Sequence, residues 1–237
     1  MKLSVIIPVF NERATIDLII SRVKNVKLNN IESIEIIIVN DGSTDGTTEA
    51  LAGYKDDSAI IISLLSTNKG KGAAVRKGFE LASGDIFLVQ DSDLEYDPTD
   101  YSKLLAPILS NNADVVYGSR FVGGAAHRVL FYWHSRGNKL LTTLSNMFTD
   151  LNLTDMECGY KVFKKEVINE IKLFENRFGF EPEITAKIGK MAKVGKCRIF
   201  EVGISYFGRT YSDGKKINWK DGVSALRCII KYNIFKR

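Results

Sequence analysis

"IFLVQDSDLEYDP", Ile86–Pro98, is the stretch on which the reading of this chain turns. Four apolar residues run into Asp91, Asp93, Glu95 and Asp97, placed at every second position. Carboxylates that close repel one another unless water or a cation lies among them. On an extended backbone alternate side chains share a side, so Asp91 and Asp93 are expected to point together, with Glu95 joining them if the chain stays extended. Hard oxygen ligands directly after a buried strand suit Mg²⁺ or Mn²⁺, which take one or two carboxylates and complete their shells with water and phosphate oxygens. The competing reading is a solvated loop after a strand. Asp97, before Pro98, reads as a turn residue.

The stretch sits in an alternation of strand and helix patterns. Leu3–Phe10, Ile34–Asp41, Ala59–Ser66 and Asp85–Asp91 are short, apolar and rich in β-branched residues, as buried strands are. Helical patterns fill the gaps at Glu12–Val26, Asp45–Tyr54 and Gly72–Ser83. That order predicts an α/β fold with a mostly parallel central sheet flanked by helices. Ala113–Arg120 adds a strand. Beyond it the spacing predicts helices over Arg128–Phe148, Glu181–Ala192 and Lys220–Tyr232, and strands at Tyr160–Phe163 and Cys197–Phe207. No repeat or long linker interrupts the 237 residues, so a single domain is expected.

Lys and Arg outnumber Asp and Glu by 33 to 28, a formal +5 that suits an anionic partner such as phosphate, nucleic acid or an acidic lipid surface. Three cysteines without metal-type spacing read as reduced thiols. Two histidines, His127 and His134, give little footing to Ser/His or Cys/His catalysis or to a His-based zinc site. No run of about 18 apolar residues occurs, and the opening "MKLSVIIPVFNE" is not a secretory signal. A cytoplasmic protein, peripheral on the cytoplasmic face of a membrane, is the expectation.

Ligands of open α/β sheets collect outside the carboxyl ends of the strands. Here those ends read "PVFNE", "NDGSTDGT" and "QDSDLE", each with a carboxylate. In "NDGSTDGT" (Asn40–Thr47), Ser43 and Asp45 look like caps, while Asp41 either caps or accepts from a nucleobase or ribose. "TNKGKGAAVRKGF" (Thr67–Phe79) lacks the phosphate-loop and dinucleotide spacings, so Lys71, Arg76 and Lys77 read as a solvated basic face. "YFGRTYSDGKK" (Tyr206–Lys216) is a glycine-punctuated basic loop, fit either for an ordinary surface or for closing on a diphosphate. His127–Leu141 and the C-terminal "INWKDGVSALRCIIKYNIFKR" are basic and amphipathic, suited to the core or to an anionic membrane.

Taken in order, "PVFNE", "NDGSTDGT", "NKGKGAAVRKGF", "DSDLEYDP", "GSRF", "SRGNKL" and "DMECGYKVFKKE" resemble family 2 glycosyltransferases of the GT-A (nucleotide-diphospho-sugar transferase) fold over nearly the whole chain. The branch they resemble most is that of polyprenyl-phosphate (dolichyl-phosphate) mannosyl- and glucosyltransferases. The resemblance implies a nucleotide pocket of Pro8, Phe10, Glu12, Val39, Asp41, Asp91, Ser92 and Asp93. It implies Mg²⁺ or Mn²⁺ on Asp91, Asp93 and Glu95, where the family often has Gln at the third position. Arg120 and Arg136 would grip an acceptor phosphate, and Arg209 and Lys215 would close over the donor diphosphate. Residues 1–120 would then bind the nucleotide sugar and residues 121–237 the acceptor, with no nucleic-acid partner.

The implied reaction is inverting, metal-dependent transfer of a hexose from a GDP-mannose or UDP-glucose/GlcNAc type donor to a polyprenyl phosphate. A lipid phosphate is already anionic and needs no general base, whereas a hydroxyl acceptor does. Hydroxyl-transferring relatives carry a Glu-Asp pair where this chain has "TDMECGY", in which Asp155 or Glu157 would have to serve. Transfer to a hydroxyl in glycan synthesis is the runner-up. A nucleotidyltransferase would need a glycine-rich phosphate loop where "NERATI" stands, and a decayed binding module would not be expected to keep Asp91, Asp93, Arg209 and Lys215.

Overall fold

The computed structural model describes residues 1–123, 128–129, 131–209 and 219–235, with the side chains of 219 and 220 left aside. One seven-stranded sheet organises them, in the order β3-β2-β1-β4-β6-β5-β7. Its strands are β1 (Lys2–Val9), β2 (Ser33–Asn40), β3 (Ile60–Leu64), β4 (Ile86–Val89), β5 (Val115–Ser119), β6 (Lys161–Lys164) and β7 (Ile199–Gly203). All run parallel except β6, which lies antiparallel between β4 and β5. The helices are α1 (Ile16–Asn25), α2 (Thr47–Ala52), α3 (Lys71–Leu81), α4 (Tyr101–Leu109), α5 (Tyr132–Thr149), α6 (Lys165–Asn169), α7 (Phe180–Lys193) and α8 (Trp219–Ile234).

The unbroken apolar runs have a direct cause: the central strands are covered on both faces. Leu3, Val5 and Ile7 of β1 join a cluster with Ile19, Val23, Leu104 and Ile108 from α1 and α4. The alternate residue Ile6 joins Ile37, Phe79, Phe180 and Ile184, from β2, α3 and α7, on the opposite face. The sequence reading passed over α4, which carries Pro107 in its interior. Pro98 opens a short 3-10 turn capped by Asp97, whose carboxylate accepts from the Thr99 amide, a position where a missing amide donor costs nothing. The turn reading of Asp97 holds. The helix over Arg128–Phe148 starts later than its pattern, at Tyr132, because Arg128 is tied to the Tyr206 and Gly208 carbonyls.

The sheet's two ends do different work. At the amino end of the parallel strands, Glu35 accepts from the Ser4 hydroxyl at 2.5 Å, the Ser83 amide and hydroxyl at 2.7 Å each, and the Gly84 amide at 3.1 Å, and it pairs with Lys2. Burial alone would raise its pKa, but these donors outweigh burial and hold the carboxyl at about 2. A pKa depressed in the folded state stabilises above the unfolded value near 4.5, and that stability is lost as pH falls toward about 2. Glu35→Gln is therefore expected to cost about 2 kcal/mol at pH 7, with the deficit shrinking toward pH 3. Urea unfolding at the two pH values checks it, and an equal deficit at both would contradict the account.

Candidate functional site

Register brings the chemistry to the other end. Val9 lies opposite Asn40 and Ile6 opposite Val89, so the ends of β1, β2 and β4 share one edge. Because β6 is antiparallel, with Val89 opposite Lys161, the segment entering it (155–160) arrives at that same edge. Ser119 ends β5 beside Thr154, their hydroxyls 2.6 Å apart, which puts Arg120 there too.

The acid cluster is not extended. Leu94 has φ +65°, and the Asp93 carboxylate accepts from the Glu95 amide at 3.0 Å. The shared-face argument for Asp91, Asp93 and Glu95 therefore fails, because a side-chain-to-backbone turn takes over where β4 ends. Among the described residues no three acids form a preformed metal cluster. Asp91 faces Lys71, whose Nζ lies 2.8 Å from one carboxylate oxygen and 3.1 Å from the other. Glu95 accepts from the Tyr206 hydroxyl at 2.9 Å and the Arg209 amide at 2.6 Å. Asp93 is left between two acids, and burial, then the charges of Asp91 and Glu95, push its carboxyl up to about 7. A half-buried carboxylate opposed by like charges is what a hard divalent cation would relieve, so the donor set fits Mg²⁺ or Mn²⁺.

Around this cluster the expected nucleotide residues fall into two kinds. Phe10 is half-buried at the end of β1, and Glu12 is buried just beyond it. Glu12 holds Arg209 through both carboxylate oxygens, at 3.1 and 2.9 Å, across 197 residues of sequence. Val39 and Pro8, by contrast, serve the sheet. The Val39 side chain is buried in the apolar cluster of Ile6 and Phe79, and the Pro8 carbonyl accepts from Ser92 Oγ at 3.1 Å. Asp41 is buried and accepts from the Lys69 and Gly70 amides at 2.8 and 2.7 Å, so it fixes the loop before α3. Asp45 accepts from the Thr47 and Arg13 amides at 3.0 Å each, in keeping with the cap reading of this loop.

On the far side, Arg120 forms a bidentate pair with Asp155, Nε to Oδ2 at 2.6 Å and Nη2 to Oδ1 at 2.7 Å. Asn138 of α5 donates to Asp155 at 2.9 Å. Burial would raise the Asp155 pKa, but Arg120 holds it below the usual range. A carboxylate so locked is a poor proton acceptor, which removes Asp155 as a general base. Glu157 differs: Oε1 is buried and without a hydrogen-bond partner among the described residues. Burial and the charge of Glu181 push it up to about 8. Arg136 is exposed on α5. Lys215, Lys216 and His127 lie outside the described residues.

Lys71 and its neighbours were missed from sequence. Lys71 is not solvated: it bridges Asp91 to Glu181, 3.1 Å away at the start of α7. Arg76 is likewise engaged, with Asn176 Oδ1 at 2.6 Å. Only Lys77, paired with Glu80, keeps the solvated role. The signal lay in the glycines. Gly70 has φ +104°, and a Cβ there would stand 2.4 Å from the Asn176 carbonyl oxygen, so bare backbone is needed to seat 176–177 against this loop.

Comparisons with known proteins agree in kind. Residues 4–172 match the sequence model described as Glycosyl transferase family 2. A dolichol-phosphate mannosyltransferase of Pyrococcus furiosus is 34% identical over 224 residues, covering 92% of this chain and 61% of that protein. An undecaprenyl-phosphate 4-deoxy-4-formamido-L-arabinose transferase of Aeromonas hydrophila is 27% identical over 214 residues, covering 90% and 62%. This chain thus spans about three-fifths of the length of these curated relatives. Glucosyl-3-phosphoglycerate synthase from Mycobacterium tuberculosis, solved with Mn²⁺, UDP and glucosyl-3-phosphoglycerate, superposes with a TM-score of 0.73 at 18% identity, covering 98% of this chain and 80% of that one. At that identity the likeness establishes the fold, which is the GT-A fold.

Proposed function

This chain belongs to glycosyl transferase family 2, and from that premise we propose that it transfers a hexose, with inversion, from a nucleotide sugar to a polyprenyl phosphate at a membrane surface. One observation carries the choice of acceptor. Arg120 occupies Asp155 through both oxygens, taking out of base chemistry one of the two carboxylates that a hydroxyl acceptor could use. An anionic acceptor needs no base, and it does need cations. Arg136 is exposed to meet it, and Arg120 would supply positive charge from the sheet edge. The names of the relatives, which specify dolichol phosphate and undecaprenyl phosphate, support the same acceptor class.

In this reading Phe10, Glu12 and the ends of β1 and β2 border the nucleotide, with residues 1–120 holding the donor and 121–237 the acceptor. Asp93, with Asp91 and Glu95 on either side, would hold Mg²⁺ or Mn²⁺, and a divalent ion there neutralises the leaving diphosphate. Arg209 adds fixed positive charge from the opposite side of the cluster. Among the described residues no helix is long and apolar enough to cross a membrane. Contact with lipid would instead come from α5 and α8, which pack together and expose Trp133, Leu140 and Met147, and Val223, Ile230 and Ile234. Exposed Lys139 and Arg227 suit an anionic, cytoplasm-facing leaflet.

Glu157 favours the second reading, a hydroxyl acceptor. A carboxyl held near 8 beside the site is the remaining candidate base. One experiment separates the two. Protein with Mn²⁺ and anionic vesicles carrying a short polyprenyl phosphate is given GDP-mannose, UDP-glucose or UDP-GlcNAc, and the organic phase is extracted. Sugar in the organic phase, with Glu157→Gln within about threefold of wild type, is expected for a phosphate acceptor. Donor binding by the wild type with no lipid-linked product, even with the acceptor verified, would move the assignment to a hydroxyl acceptor.

A further inference from the structure

The residue that ties the acid cluster to the rest of the fold is a lysine that neither the sequence pattern nor the proposed chemistry uses. Lys71 opens α3, and its side chain is 19% exposed. Its ammonium straddles Asp91, 2.8 Å from Oδ1 and 3.1 Å from Oδ2, and is backed by Glu181 Oε1 at 3.1 Å. The Asp91 main chain is fixed as well. Gln90 donates to the Asp91 carbonyl at 2.9 Å, while its own amide oxygen accepts from Tyr101 and Tyr160 at 2.8 and 2.7 Å. The other wall is Gly159, where a Cβ would stand 2.1 Å from Asp91 Oδ2. Asp91 therefore sits in a socket between Lys71 and Gly159. A cation already lies on both of its oxygens, so a divalent ion cannot chelate Asp91 bidentately without displacing Lys71.

We propose that Lys71 is a positioning residue: it acts through Asp91, holding that carboxylate fixed and charge-compensated against the donor, and leaves Asp93 as the acid whose charge takes the metal. The assignment rests on the glycosyltransferase reading above. Burial works against the ammonium's charge, but Asp91 and then Glu181 more than restore it, so Lys71 stays protonated. Glu181, 3% exposed, is its counter-anchor. Lys71 thereby joins the start of α3, the end of β4 and the start of α7 in one contact.

The test is a double-mutant cycle read in two ways, by donor–Mn²⁺ affinity in calorimetry and by transfer rate. The donor is whichever of UDP-glucose or GDP-mannose the wild type binds. Lys71→Met and Asp91→Asn are each expected to lower kcat about 100-fold. Lys71→Met/Asp91→Asn should fall no more than about threefold below Asp91→Asn, because a residue acting through a partner adds nothing once the partner's role is gone. Binding of Mn²⁺ alone to Lys71→Met should be unchanged or tighter, since a nearby cation has been removed. A merely structural lysine would weaken it. Glu181→Gln, a milder change that keeps the Lys71–Asp91 pair, should lower kcat about tenfold at unchanged donor KM.

A further tenfold or greater loss in the double variant would overturn the proposal, placing Lys71 on the substrate itself. So would wild-type kcat in Glu181→Gln, or Mn²⁺ binding lost in Lys71→Met. If the wild type binds no nucleotide sugar, the glycosyltransferase reading falls. If it binds one and the cycle is additive, only the role of Lys71 falls.

Discussion

Asp93→Asn is expected to abolish transfer, by about 10³-fold or more, while leaving the protein as stable as before or slightly more so. The two halves of that result have one cause. Asp93 is a half-buried acid between Asp91 and Glu95, and its ionised form is opposed by desolvation and by both neighbours. Removing its charge relieves repulsion that folding tolerates. On the proposed reading it also removes the residue that would hold a divalent ion, which would supply charge neutralisation at the leaving diphosphate. Thermal unfolding measured beside the transfer rate checks both halves. Activity within tenfold of wild type would show that the metal lies elsewhere, and a large drop in melting temperature would show that Asp93 is structural.

Arg120→Ala is expected to do the opposite to stability. It strands Asp155, which is fully buried and whose two oxygens rely on the Arg120 guanidinium. Breaking one side of a buried pair costs about 3–5 kcal/mol, because the remaining charge is left without compensation. Arg120→Met/Asp155→Asn removes both charges and should recover most of that loss in urea unfolding. Transfer should stay low in both variants if the arginine also meets the acceptor phosphate. A stable double variant with near-normal transfer would confine Arg120 to a structural role. Comparing single with double variants thus separates its two duties, which no single substitution does.

Most of the sheet was legible because its strands are buried on both faces and read as apolar runs, from Leu3–Phe10 to Ala113–Arg120. The antiparallel course of β6 was not, because direction is not written in four residues of sequence. Helix α4 was hidden because Pro107 lies in its interior, where proline removes a helical hydrogen bond and packing must hold the helix instead. At the site, residue type and position marked Asp91, Asp93 and Arg209 as candidates and the family resemblance added Arg120, but partners were beyond reach. Nothing in "NKGKG" says that Lys71 turns inward onto Asp91, since that depends on Glu181, 110 residues further on. Alternation misled at Glu95, where a single residue in the left-handed region, Leu94, ends the extended geometry. Pairings across long sequence separations are set by packing, and local pattern is blind to them.

The place of β6 bears on how the chain can be assembled during synthesis. The four strands β3, β2, β1 and β4 can pair as soon as they exist, each beside a neighbour already made. β5 cannot join them, because its place in the sheet is separated from β4 by a strand that lies some forty residues later. Until Lys161–Lys164 emerges, the apolar edge Ile86–Val89 stands open and Val115–Ser119 has no lateral partner. Open strand edges invite pairing with other chains. The insertion of β6 joins β5 to β4 and delivers the Asp155–Gly159 segment to the sheet edge. Both the sheet and the site therefore wait on residues made late, β6 first and then β7, Glu181 and Arg209.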